Sequence, residues 1–386
     1  MRNLPPMALV LLLWLAGLGA AAQFGKISIL YETLRASYGG MGDVALGLVV
    51  SIVGLVGLVF GTTAGLLVAR IGPRRAIVSA LAAGAAMSAF QSLMPAYPLM
   101  LASRIVEGAS HLAIVVVGPT MIAALAPEAQ RPLAMTLWSS FFGVTYAILA
   151  LVGPFASPIG LFLGHAVYMA ALAVILAVSL PPDPRGEVPP LANLLAQHAT
   201  IYLSPRLAAP AMGFCCYTFL YVAVLTLLPP ETPEPSRALI AAGMPLVSIA
   251  VSLSLGVGLL RRMPAVRLVQ LGYAAAIPGF LGLWAFWGVG AGMVAGGFLL
   301  SGALGIVQGA SFAAIPELNA TAPDRARAAG AVAQLGNLGT TTGTPVLAAL
   351  LASAGPPGLA ITATFLCGLG IAVHRVQARR RATRFD

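Results

Sequence analysis

Charge is the scarcest property of this sequence. Only 8% of its 386 residues are Asp, Glu, Lys or Arg, whereas 59% are hydrophobic. A soluble domain carries about 25% charged residues, so the composition excludes an ordinary soluble protein. The hydrophobic residues form long blocks without period-2 alternation, which excludes a membrane β-barrel, and a helix needs about 20 of them to cross a bilayer. We therefore predict an all-α integral membrane protein.

Sequence features typical of enzymes are also missing. The three cysteines, Cys215, Cys216 and Cys367, lie in apolar blocks, which excludes a disulfide framework and favours small buried side chains. No Gly-Lys-Ser/Thr phosphate loop, nucleophile triad or metallohydrolase pattern occurs. His165 and Met169 are four residues apart, but one short pair does not make a soft-metal site, and we assign it to packing. We predict no enzyme activity, cofactor or metal site.

The basic residues are unevenly distributed along the chain. With a cytoplasmic N-terminus, the outer loops receive only Arg35 and Arg237, and nearly all other arginines fall in inner loops or in the C-terminal tail. Lys and Arg in short loops stay cytoplasmic, so we predict an inner-membrane protein with both termini in the cytoplasm. The tail then lies against anionic lipid headgroups, and the net charge of +10 does not require a nucleic-acid partner.

The apolar blocks number twelve. They cover roughly residues 7–31, 43–69, 76–94, 98–125, 132–154, 160–180, 209–229, 238–260, 266–288, 290–314, 328–352 and 357–374. The Pro-rich, polar stretch 181–208 predicts a cytoplasmic linker between an N-terminal six-helix bundle at 1–180 and a C-terminal one at 209–386. The first block is similar to a secretory signal peptide, but its apolar character continues past Gln23, so we expect a first span.

Two short motifs recur in the second half of the chain. "VEGAS" at 106–110 returns as "VQGAS" at 307–311, and "APEAQRPLAM" at 126–135 returns as "APDRARAAGA" at 322–331. The two halves therefore repeat each other in parallel sense. Parallel six-helix halves are typical of one large class of transporters, which bind substrate between the halves. We expect a monomer.

At this point the sequence resembles a major facilitator superfamily transporter. "GLLVARIGPRR" at 65–75 is similar to the superfamily's signature loop, although Ala69 replaces the signature acid, and "RIVEG" at 104–108 is similar to its second signature. The resemblance implies twelve helices in two pseudo-symmetric bundles. It also implies a cytoplasmic gate formed by Gly65, Arg70, Gly72, Arg74 and Arg75. The stretch "PLAMTLWSS" loosely resembles the cyanate and nitroimidazole transporter branch.

Ionisable residues in the fourth apolar block are the strongest indication of a functional site. Arg104, Glu107 and His111 lie at i, i+3 and i+7, on one helical face. Lys26, the sole lysine, shares a face with Gln23 in the first block. The resemblance implies that helices 1, 4, 7 and 10 line a central cavity, so we expect these side chains to face water and bind substrate. Snorkelling to the surface, or a structural Arg104–Glu107 pair, stays open.

The second half of the chain adds uncharged candidates. Gln308 occupies the position that corresponds to Glu107, and Phe214, Tyr217 and Tyr221 form a stripe at i, i+3 and i+7. Gln334 and Asn337 add amides on one face of the eleventh block. We take Tyr217, Tyr221, Gln308, Gln334 and Asn337 as candidate substrate-binding residues. Aromatic helix packing and interhelical hydrogen bonding are the alternatives.

Together these features predict a secondary active transporter that works by alternating access on a small anionic or zwitterionic solute. The candidate site carries a net charge of +1 from Lys26, Arg104 and Glu107. Glu107 or His111 is the candidate for proton coupling, and hence for symport, because a partly buried carboxylate can titrate upward toward neutrality and histidine titrates there already. Two alternatives stay open. One is a proton-linked exporter of amphipathic drugs, suggested by Gly153-Pro154 and the aromatic stripe, and the other is a non-transporting solute sensor.

Overall fold

The computed structural model describes residues 4–38, 40, 43–152, 155–183 and 194–383, and no strand occurs within these ranges. Fifteen α-helices follow one another within the described ranges. They are α1 (Pro6–Ile29), α2 (Tyr31–Tyr38), α3 (Asp43–Ile71), α4 (Pro73–Gln91), α5 (Tyr97–Leu125), α6 (Arg131–Ser139), α7 (Phe141–Val152), α8 (Pro158–Ser179), α9 (Leu194–Leu203), α10 (Ala208–Glu231), α11 (Ser236–Val251), α12 (Val257–Leu260), α13 (Ala265–Ala285), α14 (Gly290–Leu318) and α15 (Ala322–Ala382).

Most of these helices are long and apolar enough to cross a membrane. Within the described residues nine helices meet this condition on length and composition, and ten do if the bent pair Glu128–Ser139 and Phe141–Leu149 counts as one span. The predicted all-α membrane protein is therefore confirmed. The helices at the two remaining predicted spans are α4 and the part of α15 that precedes Gly355.

Helix ends follow local sequence chemistry. Gly72 precedes α4 with φ 95°, a left-handed conformation that glycine adopts without strain, and Pro73 begins the helix, where no backbone N–H is needed. The side chain of Ser157 caps α8 by accepting a hydrogen bond from the Gly160 N–H at 3.0 Å. Gly355, with φ 64° and ψ −162°, interrupts α15 between the two segments that the sequence predicts there.

Some predicted segments are subdivided in the structure. The block at 132–154 is divided at Ser140 into α6 and α7, and the block at 238–260 contains a π-helical turn, Ser252–Gly256, between α11 and α12. The predicted linker 181–208 contains the short helix α9, while its residues 184–193 lie outside the described ranges. Gly153 and Pro154, which suggested an exporter, also lie outside them.

The chain forms two compact units. Unit 1 comprises Met1–Ala134 with Phe141–Gln197, and unit 2 comprises Met135–Ser140 with His198–Asp386. In unit 1, α5 packs on α3, α4 and α1, and α8 packs on α4 and α1. In unit 2, α14 packs on α13, α11 and α10, and α10 packs on α15. The boundary near residue 197 falls inside the stretch predicted as a linker.

The repeated motifs lie on equivalent helices. "VEGAS" is on α5 and "VQGAS" is on α14, and each helix has 29 residues with a proline close to its C-terminal end. The glycine of each motif permits close approach of a neighbouring helix. A Cβ on Gly108 would lie 2.7 Å from the Val53 carbonyl oxygen, and a Cβ on Gly309 would lie 2.7 Å from Ser252 Oγ. The duplication is therefore preserved in packing as well as in sequence.

Candidate functional site

Unit 1 contains a buried cluster of three charged side chains. α1 contributes Lys26 and α5 contributes Arg104 and Glu107, and the exposed fractions of these side chains are 1%, 0% and 0%. Leaving a charge unpaired in such a place costs several kcal/mol, so each must find a partner inside the protein. We call Lys26, Arg104 and Glu107 the charged triad.

Glu107 is the centre of the triad. Its Oε1 accepts a hydrogen bond from Lys26 Nζ at 2.5 Å, and its Oε2 accepts one from Arg104 Nη1. Oε2 also accepts from Gln91 Nε2 at 2.7 Å. Two cations and an amide therefore surround one carboxylate. The triad keeps a formal charge of +1, as the sequence predicts for the site.

One nitrogen of Arg104, which carries two N–H donors, has no acceptor among the described residues. Its Nε donates to the Val49 carbonyl at 2.9 Å, and its Nη1 donates to the Gln23 carbonyl at 2.7 Å as well as to Glu107. Nη2 is buried and has no hydrogen-bond acceptor among the described residues. Buried guanidinium groups normally use all their donors, so this N–H group is free to bind an incoming acceptor.

Polar residues that the sequence analysis left out complete this region. Lys26 Nζ donates to Ser88 Oγ at 2.9 Å, lies 3.3 Å from His165 Nδ1, and stands 5.3 Å from the centre of the Phe162 ring. Gln91 donates to Ser103 Oγ at 3.0 Å in addition to Glu107. His165 is buried, as the sequence analysis predicts, and its ring also contacts the sole lysine.

The other two candidates of the first half lie beside the triad. Gln23 Nε2 donates to Ser110 Oγ at 3.0 Å, and Gln23 Oε1 is buried without a donor among the described residues. His111 Nδ1 lies 3.0 Å from the Ala20 carbonyl, and the His111 ring meets the Phe24 ring edge-on at 5.0 Å. His111 therefore shares a helical face with Arg104 and Glu107 but hydrogen-bonds to α1.

One expectation about these residues needs correction. The sequence analysis expected the triad to face water, yet all three side chains are enclosed by protein and bind one another. Snorkelling to the surface is likewise not observed. The physical reason is that opposite charges on α1 and α5 satisfy each other at short distance, which removes the need for water.

In unit 2 the aromatic stripe on α10 is a stack of rings. The centres of Phe214 and Tyr217 are 5.2 Å apart, and those of Tyr217 and Tyr221 are 5.1 Å apart. The side chains of Ser248 and Ser301 lie close to the Tyr221 hydroxyl. The Tyr217 hydroxyl is buried and has no partner among the described residues. Tyr217 thus offers a free donor within an apolar surface.

The amides predicted for substrate binding in unit 2 are bound by the protein itself. Gln308 Nε2 donates to the Ser139 carbonyl at 2.5 Å. Gln334 Oε1 accepts from the Tyr202 hydroxyl at 2.6 Å, and its Nε2 lies 3.2 Å from His198 Nε2. Asn337 Nδ2 donates to a backbone carbonyl of its own helix at 2.8 Å. In this conformation Gln308 and Gln334 make interhelical hydrogen bonds, the alternative that the sequence left open, and Asn337 bonds within its own helix.

The predicted gate segment joins α3 to α4. Gly65 is buried in α3, and Arg70 is exposed at its end. Gly72, Arg74 and Arg75 surround Asp183, which follows α8. The Asp183 carboxylate accepts from the Arg74 backbone N–H at 2.7 Å and from the Arg75 backbone N–H at 3.2 Å, and it lies 3.8 Å from Arg75 Nε. A carboxylate at this helix N-terminus is favoured by the macrodipole.

Cysteine and metal chemistry have no assembled site in the described part of the chain. Cys215, Cys216 and Cys367 are free thiols, two of them buried and one half-buried. No group of three His, Cys, Asp or Glu side chains in the described ranges is placed to hold a metal ion.

Comparisons with known proteins agree on one family. A sequence profile of the Major Facilitator Superfamily matches residues 9–320. The inner membrane transport protein YajR of Escherichia coli (strain K12) is 27% identical over 203 residues, which are 50% of this chain and only 44% of YajR.

Two solved structures share the fold over nearly all of the chain. The human organic anion transporter MFSD10 (TETRAN) superposes with a TM-score of 0.80 at 16% identity, covering 96% of this chain and 100% of its own. The proton:xylose symporter XylE, bound to 6-bromo-6-deoxy-D-glucose, superposes with a TM-score of 0.78 at 14% identity, covering 97% of this chain and 95% of its own. At these identities the likeness concerns the fold.

Proposed function

This chain belongs to the major facilitator superfamily, and on that premise we propose that it carries a small anionic or zwitterionic organic solute across the inner membrane by alternating access, together with protons. The observation that carries the proposal is the buried charged triad of unit 1, which has one cation more than it has carboxylates.

The excess positive charge favours an anionic ligand. Arg104 Nη2 is a buried donor without an acceptor among the described residues, and a substrate carboxylate would supply that acceptor. The amide oxygen of Gln23 is also buried and unpaired in the described structure, so it can accept a hydrogen bond from an ammonium or hydroxyl group of the same solute. An amino acid or hydroxy acid combines both features.

Protonation of Glu107 links proton binding to anion binding. With Glu107 ionised, its carboxylate already occupies Lys26 and Arg104, and an anionic substrate competes with it. With Glu107 protonated, the triad has a charge of +2, and a bound anion returns it to +1. Each ligand therefore makes binding of the other more favourable, and such coupling is reciprocal. This thermodynamic link is the basis of symport.

Three further groups of residues have supporting roles in the proposal. His111 is a second candidate proton carrier, because its ring lies next to the triad on α5. Within unit 2, Tyr217 and Tyr221 are candidate binding residues whose stacked rings and hydroxyl groups suit an organic solute. The segment with Gly65, Arg70, Gly72, Arg74 and Arg75 acts as the cytoplasmic gate, in agreement with the positive-inside distribution, which we propose places both termini in the cytoplasm.

The comparisons support this choice in outline. One protein of similar fold is described as an organic anion transporter and another as a proton symporter, so both parts of the proposed activity occur on this architecture. A drug exporter is the second candidate. The observation that favours it is the ring stack of Phe214, Tyr217 and Tyr221, which suits aromatic substrates.

Reconstitution into liposomes tests the proposal. Vesicles containing a pH-sensitive dye would be exposed to inward gradients of monocarboxylates, dicarboxylates, amino acids and sulfonates in turn. We expect the uptake of at least one anion to carry protons into the vesicles and acidify the lumen. We expect Glu107→Gln to abolish this acidification. Glu317→Gln, which removes a carboxylate from α14 outside the triad, is the matched control. Anion uptake by Glu107→Gln with unchanged proton flux would contradict the role given to Glu107.

A further inference from the structure

We propose that His165 is a positioning residue of the coupling site, whose Nδ1 lone pair holds the Lys26 ammonium group against Glu107. The sequence gives His165 no special position, and its helix, α8, contributes none of the charged residues of the triad. The structure shows which ring nitrogen of His165 faces Lys26. It also shows that this nitrogen must be unprotonated to accept a hydrogen bond from the lysine. The inference rests on the proposed function only for its effect on transport.

The tautomer of His165 follows from its contact with α1. Nε2 lies 2.9 Å from the carbonyl oxygen of Gly19. A carbonyl oxygen can only accept a hydrogen bond, so Nε2 must carry a proton. In the neutral ring Nδ1 is then unprotonated, and its lone pair points toward Ser88 Oγ at 2.9 Å and Lys26 Nζ at 3.3 Å.

The Lys26 ammonium group has three N–H donors, and three acceptors on other residues lie within its reach. Its ammonium group donates to Glu107 Oε1 and to Ser88 Oγ, and His165 Nδ1 is the third acceptor within reach. Ser88 has a single proton, and the Phe162 carbonyl and His165 Nδ1 are both acceptors for it at 2.9 Å; in either case the oxygen lone pairs of Ser88 accept from Lys26. A fully satisfied ammonium group at a buried position is held in one orientation, and that orientation points at Glu107.

His165 must stay neutral to do this. The charged groups that face it are Lys26 from α1 and Arg104 and Glu107 from α5. A protonated ring would lose its acceptor and would place a second cation 3.3 Å from Lys26. His165 therefore positions the lysine and does not carry the transported proton, which distinguishes it from His111.

Loss of the Nδ1 acceptor should change the pH at which Glu107 binds its proton. With one hydrogen bond fewer, the Lys26 ammonium group is held less firmly and stabilises the Glu107 carboxylate less. Glu107 then takes up its proton at higher pH. Since one hydrogen bond corresponds to about one pH unit, we expect the pH profile of transport to move upward by about that amount.

Two matched substitutions separate the two ring nitrogens. His165→Asn places an amide oxygen near the position of Nδ1 and loses the donor to Gly19. His165→Gln places an amide nitrogen near the position of Nε2 and loses the acceptor for Lys26. Because Lys26 is the sole lysine, protein labelled with 15N at lysine Nζ gives one side-chain signal, and its titration reports on Lys26 without any substrate.

We expect His165→Gln to shift the Lys26 titration and the transport profile, and His165→Asn to stay close to the unsubstituted protein in both. His198→Gln, in unit 2, should leave the lysine signal unchanged. A wild-type Lys26 titration in His165→Gln, or equal shifts in both His165 variants, would overturn the proposal.

A measurement without substitution covers the case in which the variants do not fold. In 15N-histidine spectra of the unsubstituted protein, His165 should show a protonated Nε2 and a lone pair on Nδ1 through neutral pH, and the opposite tautomer or a charged ring would also overturn the proposal. If anion transport proves independent of protons, the proposed function fails, but the lysine and histidine spectra still decide the role of His165.

Discussion

The two copies of the repeated motif do different chemistry with the same packing. On α5, "VEGAS" places Glu107 between Lys26 and Arg104, whereas on α14 the equivalent Gln308 donates to a backbone carbonyl. The glycine that follows, Gly108 or Gly309, meets a neighbouring helix at the same close distance in both units. The glycine therefore serves helix packing in both units, whereas the carboxylate, to which we assign a role in the proposed function, occurs in the first copy of the motif only.

Burial makes the energetic difference between Glu107 and Gln308 large. In unit 1 the charged groups have exposed fractions of 1% or less, and they have no water to replace a lost partner. In unit 2 the equivalent position is neutral and half-buried. Substitutions at equivalent positions should therefore have unequal effects, and four predictions test that expectation.

The largest effect should come from the centre of the triad. Glu107→Gln leaves Lys26 and Arg104 buried without a counter-charge, which typically costs about 3–5 kcal/mol of unfolding free energy. Gln308→Leu removes one neutral hydrogen bond and should cost about 1 kcal/mol. Unfolding of both variants in the same detergent measures the difference. Equal destabilisation would show that the triad is no more important to stability than the neutral copy.

The second effect is coupling within the triad. Lys26→Met leaves Glu107 paired with Arg104 alone, and the double variant Lys26→Met/Glu107→Gln removes a cation and the carboxylate together. Residues in one ionic network show coupling energies of about 0.5–3 kcal/mol, so the double variant should be more stable than the sum of the single effects predicts. Additive free energies of unfolding would mean that the two groups do not interact.

A smaller effect should separate two tyrosines of unit 2. Tyr221→Phe removes a hydroxyl that lies beside the polar side chains of Ser248 and Ser301 and should cost about 1 kcal/mol, whereas Tyr217→Phe removes a hydroxyl without a partner in the described structure and should change stability by less. If Tyr217 contacts substrate, its Phe variant lowers transport at unchanged stability. Unfolding and liposome uptake, measured side by side, distinguish these roles.

The smallest effect should come from the exposed charge pair of unit 1. Arg75 has an exposed fraction of 80% and lies 3.8 Å from Asp183, and such surface pairs are worth about 0.2–1 kcal/mol. Arg75→Ala should therefore barely change the unfolding midpoint, and added salt should reduce the difference further. A loss as large as that of Glu107→Gln would mean that charge, rather than burial, sets the energy in this unit.

Much of the fold was predictable, because membrane spans depend on composition along one segment. The apolar blocks correspond to the helices, and Gly355 lies between two of these blocks, whereas the break at Ser140 divides a single block. The partners of the triad were harder to predict. Ser88, Gln91 and His165 are isolated polar residues in apolar helices. The one available indication was that Ser88 and Gln91 are three residues apart and therefore share a face of α4.

Sequence alone determined the helical membrane architecture, the duplication of the halves, the shared face of Arg104 and Glu107, and the presence of one lysine in the first span. Tertiary structure decided that Lys26 and Arg104 meet on the same carboxylate, that His165 from α8 joins them, and that Gln334 is bound by α9. The physical reason is that spacing within a helix fixes which residues share a face, whereas contacts between helices depend on how each helix is rotated and packed against its neighbours.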